Sequence, residues 1–144
     1  MHGSSHPYDR RVESADLPLN SPITPNLDQF QALMASPDEG PVVMLNLLKF
    51  KEAGAESYMR YGDSALEMVA ERGGRVVWSG QAQQVLIGDP AADWDVVVLV
   101  EYPSRAAFIE MVSSPEYLAA HADREAGLER TVVLACTPAA PAGQ

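Results

Sequence analysis

His121 is the one histidine beyond the first six residues, and its neighbours give it something to work with. Tyr117, His121, Arg124 and Leu128 follow one another at intervals of four, three and four residues, a spacing that stacks side chains along one helix face. An imidazole exchanges a proton near neutral pH, and a guanidinium holds a carboxylate or enolate through two parallel hydrogen bonds. His121 and Arg124 are therefore the candidate catalytic pair, the first as acid/base and the second as anion holder. The plainer alternative is a half-exposed His121 with Arg124 paired to Glu116 or Glu125 on its own helix.

Asn46 interrupts the otherwise apolar run Val42-Val43-Met44-Leu45-Asn46-Leu47-Leu48. A bare buried amide costs on the order of 1–3 kcal/mol, so this side chain needs a partner. A substrate carbonyl and a backbone group at an irregular strand would each serve. Tyr58 and Tyr61 lie three residues apart, either as core aromatics whose hydroxyls reach a polar edge or as pocket lining. With Tyr117 and Trp94 they complete the candidate substrate-binding set, although Trp94, like Trp78, also reads as a packing residue. Asp95 should face away from Trp94 on the same strand, as a surface carboxylate or a partner for Arg105. Gly-rich phosphate loops, paired Cys or His metal spacings and a serine nucleophile elbow are all missing from the sequence, so neither metal nor cofactor is expected. Cys136 reads as a small core residue, and His2 and His6 as part of a polar tail.

The elements that must position these residues are legible in outline. Residues 1–23 are polar and proline-containing and predict a flexible tail. A short helix over 24–36 follows, with Thr24 as N-cap, Pro25 at its first position, and Leu27, Phe30 and Met34 on one face. Val42 to Phe50 reads as a strand, and Tyr58 to Val69 as a helix that Gly73-Gly74 closes. Arg75 to Ile87 predicts a long strand with an irregularity or close approach at Gly80. Trp94 to Tyr102 predicts the next strand. Ser104 and then Ser114-Pro115-Glu116 are two successive helix starts, so the last helix should break near Ser113. Thr131 to Thr137 is the final strand, and 138–144 a frayed end.

Strand, helix, strand, strand, helix, strand is the split βαβ order of a ferredoxin-like α+β domain over 24–137, with a four-stranded antiparallel sheet. Such a sheet normally alternates apolar with polar residues, one face wet and one dry. Val42 to Leu48 and Val96 to Val100 are apolar on both faces, and no further large element remains to cover the second. A homodimer through the open sheet face is the economical expectation.

The chain has 144 residues, 47% of them hydrophobic, enough for one core and too few for two. Its formal net charge of -10 argues against nucleic-acid or anionic membrane partners, since nothing basic offsets it. No apolar run approaches a membrane span, and a single cysteine fits a reducing compartment, so a cytoplasmic location is expected.

The strings Val43-Met44-Leu45-Asn46-Leu47-Leu48-Lys49-Phe50, Gly73-Gly74-Arg75, Trp94-Asp95, Tyr102-Pro103-Ser104-Arg105-Ala106-Ala107-Phe108 and Ser114-Pro115-Glu116-Tyr117, with Arg124 behind them, resemble the domain-of-unknown-function 1330 family. The resemblance runs from about Pro41 to Thr137. It implies the dimeric α+β barrel superfamily, which holds cofactor-free monooxygenases, isomerases, small cyclases, haem-degrading oxygenases and proteins without known activity. Fold therefore leaves function open. Three readings follow: a cofactor-independent enzyme moving protons on a small carbonyl- or carboxylate-bearing metabolite, a non-catalytic small-ligand-binding module, and a haem- or quinone-oxidising monooxygenase. The last would draw on Asn46, Trp94 and His121, although their spacing departs from the haem-degrading pattern.

Overall fold

The computed structural model describes residues 21–139; positions 1–20 of the tail expected over 1–23, and 140–144 of the end expected over 138–144, lie outside them. Eight elements follow in order. They are α1 (Leu27–Ala35), β1 (Val42–Phe50), α2 (Ala55–Glu71), β2 (Arg75–Gln81), β3 (Val96–Tyr102), α3 (Arg105–Val112), α4 (Pro115–Gly127) and β4 (Leu128–Cys136). The sheet order is β2-β3-β1-β4, with every pairing antiparallel. This is the expected ferredoxin-like sheet, with the two most apolar strands, β1 and β3, at its centre.

Alternation along β1 divides the sheet into two faces. Val42, Met44 and Leu48 are buried beneath the helices together with Val100 and Tyr102 of β3. The other face carries Leu45, which lies opposite Leu99 and Leu134, and Leu47, opposite Val97 and Val132. A register shift between Val76 and Trp78 sets Trp78 opposite Leu99 as well, so the indole joins this second face. Nothing among the described residues covers it: Trp78 is 54% exposed and Leu134 51%.

The α3–α4 break falls where the sequence predicts it, and one side chain explains it. The Ser114 hydroxyl donates to the Met111 carbonyl at 2.7 Å, ending α3, and accepts from the Tyr117 N–H at 3.2 Å, starting α4. Ser104 caps α3 through the Ala107 N–H. Other boundaries move. The N-cap of α1 is Asn26, whose side chain and that of Gln29 form a reciprocal capping box; the Thr24 hydroxyl is engaged by Ser21 instead. Strand β2 ends at Gln81, and Val85, Leu86 and Ile87 belong to a connection that continues to Asp95. Gly80 is the close approach rather than the bulge, since a Cβ there would come within 2.6 Å of the Trp78 ring. Strand β3 begins at Val96 because Asp95 is bound to β1: its N–H donates to the Leu48 carbonyl, and its carboxylate accepts from the Phe50 N–H, both at 2.8 Å. Asp95 is thus no partner of Arg105, which approaches Asp38 at 3.8 Å.

Ile23, assigned by sequence to the tail, is buried beside Leu48 and Leu128. The folded unit therefore takes in the segment before α1.

Candidate functional site

Two adjoining cavities lie between the sheet and the helices. The inner one, of about 390 Å³, is bounded by Asn46, Tyr58, Tyr61, Tyr102, Tyr117 and Arg124 among aliphatic side chains. The outer one, of about 460 Å³, is bounded by Ile23, Pro25, Phe30, Tyr117, His121 and Arg124. Tyr117 and Arg124 border both. The structure thus brings Arg124 and Tyr117 to the centre of the site. It sets His121 on one side of them and Asn46, Tyr58 and Tyr61 on the other.

Helix α4 delivers Tyr117, His121 and Arg124 inward because all three sit on the stripe that also buries Leu128. Arg124 is 7% exposed, and pairing with Glu116 or Glu125 does not occur. Its guanidinium donates to the Ile23 carbonyl and lies 5.9 Å from the centre of the Tyr61 ring. Among the described residues no carboxylate forms an ion pair with it. Burial opposes its charge, yet the hydroxyls of Tyr117, Tyr61, Tyr58 and Tyr102 around it hold its pKa above the usual arginine value.

His121 is 5% exposed, and neither ring nitrogen has a hydrogen-bond partner among the described residues. Glu125 approaches Nε2 only to 3.9 Å, beyond hydrogen-bonding reach. Burial first, and then the Arg124 charge, push the imidazole below its usual 6.5, against a smaller opposing pull from Glu125. At neutral pH the ring is uncharged and able to accept a proton.

The tyrosines form a ladder. Tyr58 and Tyr61 rings are 5.3 Å apart, Tyr61 and Tyr117 meet edge to face at 5.8 Å, and their hydroxyls share a 2.8 Å hydrogen bond. Burial pushes Tyr58 up to about 12 and Tyr61 well above its ordinary range, so both remain protonated phenols. Asn46 is held by backbone: its amide nitrogen donates to the Met44 and Val98 carbonyls at 3.1 and 3.3 Å. Trp94 borders neither cavity. It lies just before β3 with the Arg130 guanidinium 4.4 Å over its ring.

Two contributors escape a sequence reading. Tyr102 reaches the inner cavity, which its two-residue step from Val100 would have indicated. Ile23 walls the outer one; the only signal is a lone aliphatic residue between Pro22 and Thr24.

A single antiparallel sheet in this order, with helices on one face, is a ferredoxin-like α+β fold. Within that class, residues 46–137 match the domain of unknown function 1330, and the chain belongs to that family. RPA0582, a protein of unknown function from Rhodopseudomonas palustris, shares 36% identity, with 85% of this chain and 100% of that one covered and a TM-score of 0.78. Rv0793 from Mycobacterium tuberculosis is 20% identical over 72% of this chain and 99% of its own, with a TM-score of 0.51. SnoaB, a cofactor-independent oxygenase from Streptomyces nogalater, is 18% identical over 73% and 99%, with a TM-score of 0.51. These last two are similar in fold alone. No curated protein matches the chain.

Proposed function

We propose that this protein is a small cofactor-independent enzyme that moves a proton on a carbonyl- or carboxylate-bearing, partly aromatic metabolite. The observation that carries the reading is the buried Arg124, without a carboxylate partner among the described residues, beside the uncharged, unpartnered imidazole of His121. A desolvated guanidinium is costly unless something anionic meets it, and a neutral imidazole at its side is a base in its working form. The substrate's anionic oxygen sits on Arg124 where the cavities meet, with its body in the inner cavity against Tyr58 and Tyr61. His121 takes a proton from the carbon next to the carbonyl, the bonding pair moves onto the oxygen, and Arg124 holds the enolate. Return of the proton to carbon closes the cycle with no net gain or loss of electrons.

A non-catalytic binding module is the second reading. It is favoured by the opening of His121 and Asn46 onto different cavities, since recognition needs only Arg124 and one of them. The haem-oxidising reading has less support: Asn46 borders the inner cavity, His121 the outer, and Trp94 neither. That SnoaB works without a cofactor supports only the compatibility of this fold with such chemistry. Pairing of two copies through the uncovered sheet face belongs to the same proposal.

The test is proton exchange in deuterated water, followed by proton NMR on a panel of 2-oxo acids with phenylpyruvate first. Faster loss of the signal next to the carbonyl than in buffer, abolished in His121→Gln without a fall in melting temperature, is the expected result. Binding without exchange by any member would transfer the protein to the second reading.

A further inference from the structure

The donors and acceptors around the inner cavity narrow the ligand. Asn46 turns its amide nitrogen to the Met44 and Val98 carbonyls. Both partners can only accept, so the nitrogen must face them and the amide oxygen points elsewhere. That oxygen receives no donor among the described residues, and the residue borders the cavity. Asn46 is therefore an acceptor toward a ligand, the reverse of the donor role that an amide opposite a substrate carbonyl would play.

The balance at Arg124 is opposite. A guanidinium has only donors, and the Ile23 carbonyl is the one acceptor that meets it among the described residues. Tyr61 and Tyr117 bring two hydroxyl protons to a 2.8 Å contact, which consumes one of them. The second proton has no acceptor among the described residues, and the Tyr58 hydroxyl likewise has no partner there. Burial keeps Tyr58 and Tyr61 protonated, so both remain donors at neutral pH. One corner of the cavity is thus rich in donors and wants an anion, while Asn46 wants a hydrogen. Between them Met44, Val98 and Val100 present an apolar wall that would leave further polar groups unpaired.

We infer that the inner cavity takes a hydroxylated aromatic carboxylate, whose carboxylate accepts from Arg124 and the Tyr61–Tyr117 pair and whose hydroxyl donates to Asn46 Oδ1. This rests on the reading of Arg124 as anion holder and adds the requirement for a donor on the ligand. Tyr61 and Tyr117 become specificity-determining residues.

Isothermal titration of the full-length protein with para- and meta-hydroxybenzoate and the corresponding hydroxyphenylacetates tests it, each beside its methyl ether and its unsubstituted parent. The ether accepts but cannot donate, and the parent controls for size. At least one hydroxy acid should bind about tenfold or more tightly than both of its controls. Tyr61→Phe and Tyr117→Phe, which keep the rings, should weaken every carboxylate by a similar factor and leave the hydroxyl-to-ether ratio unchanged. Equal binding of hydroxy acids and ethers across the panel would overturn the inference while sparing the anion site. Carboxylate affinity unchanged in both phenylalanine variants would remove the tyrosine pair from it. Failure of every carboxylate to bind would overturn the inference and the reading of Arg124 together.

Discussion

At the scale of single residues, the site is defined by what His121 and Arg124 lack. Among the described residues His121 has no hydrogen-bond partner for either nitrogen, and burial lowers its affinity for a proton. The unfolded chain binds that proton around the ordinary value of 6.5, whereas the folded protein does so only at lower pH. Stability is therefore complete above 6.5 and declines as pH falls from there toward the folded value, because protons favour the unfolded state. Melting curves between pH of about 7.5 and 5.5 should fall in wild type and flatten in His121→Gln. Asp93 and Glu110 are held below their ordinary 3.8 and 4.5 by Lys49 and Arg72, so their linked losses lie at more acidic pH than this window. Sequence spacing identified His121 and Arg124 as neighbours on one face. It could not reveal their burial, because the residues that enclose them come from α1, α2 and the segment around Ile23.

At the scale of elements, the site depends on how closely α2 and the end of α4 approach. A Cβ on Gly127 would lie 2.7 Å from the Gly54 carbonyl oxygen and 2.9 Å from the Tyr58 nitrogen, all backbone atoms that cannot turn aside. The Gly127 carbonyl also accepts from the Lys51 N–H at 2.8 Å. Gly127→Ala should therefore push α2 away from α4, at a cost of roughly 1–3 kcal/mol, and loosen the Tyr61–Tyr117 contact. A lower urea midpoint with an unchanged slope, together with altered tyrosine fluorescence, would register both effects. Capping residues made α3 and α4 readable, since Ser104 and Ser114 act through bonds three residues away. Strand ends did not yield in the same way. The start of β3 is set by Asp95, which binds β1 at Leu48 and Phe50, and such a partner across the sheet has no local signature.

At the scale of the molecule, the dominant fact is a sheet face of Leu45, Leu47, Val97, Leu99 and Leu134 with Trp78 across it, and no covering element among the described residues. A contiguous apolar surface of this kind is normally an interface. A second copy is the economical cover, and Leu99→Glu, at the centre of the patch, tests it. Light scattering should give twice the chain mass for wild type and a single chain mass for the variant, with far-ultraviolet circular dichroism retained. A wild-type protein that remains monomeric at micromolar concentration would discard the paired sheets.

The sequence by itself determined the element order, the antiparallel sheet, the helix break at Ser114 and the apolar second face. Each of these follows from local periodicity and capping, which act over a few residues. It also brought Tyr117, His121 and Arg124 to one stripe of α4. Only the tertiary structure decided that His121 and Asn46 open onto different cavities, that Asn46 spends its donors on the backbone, and that Trp94 stands apart. Those outcomes depend on which distant carbonyl or ring meets a side chain, and that is set by register and packing between segments far apart in the chain.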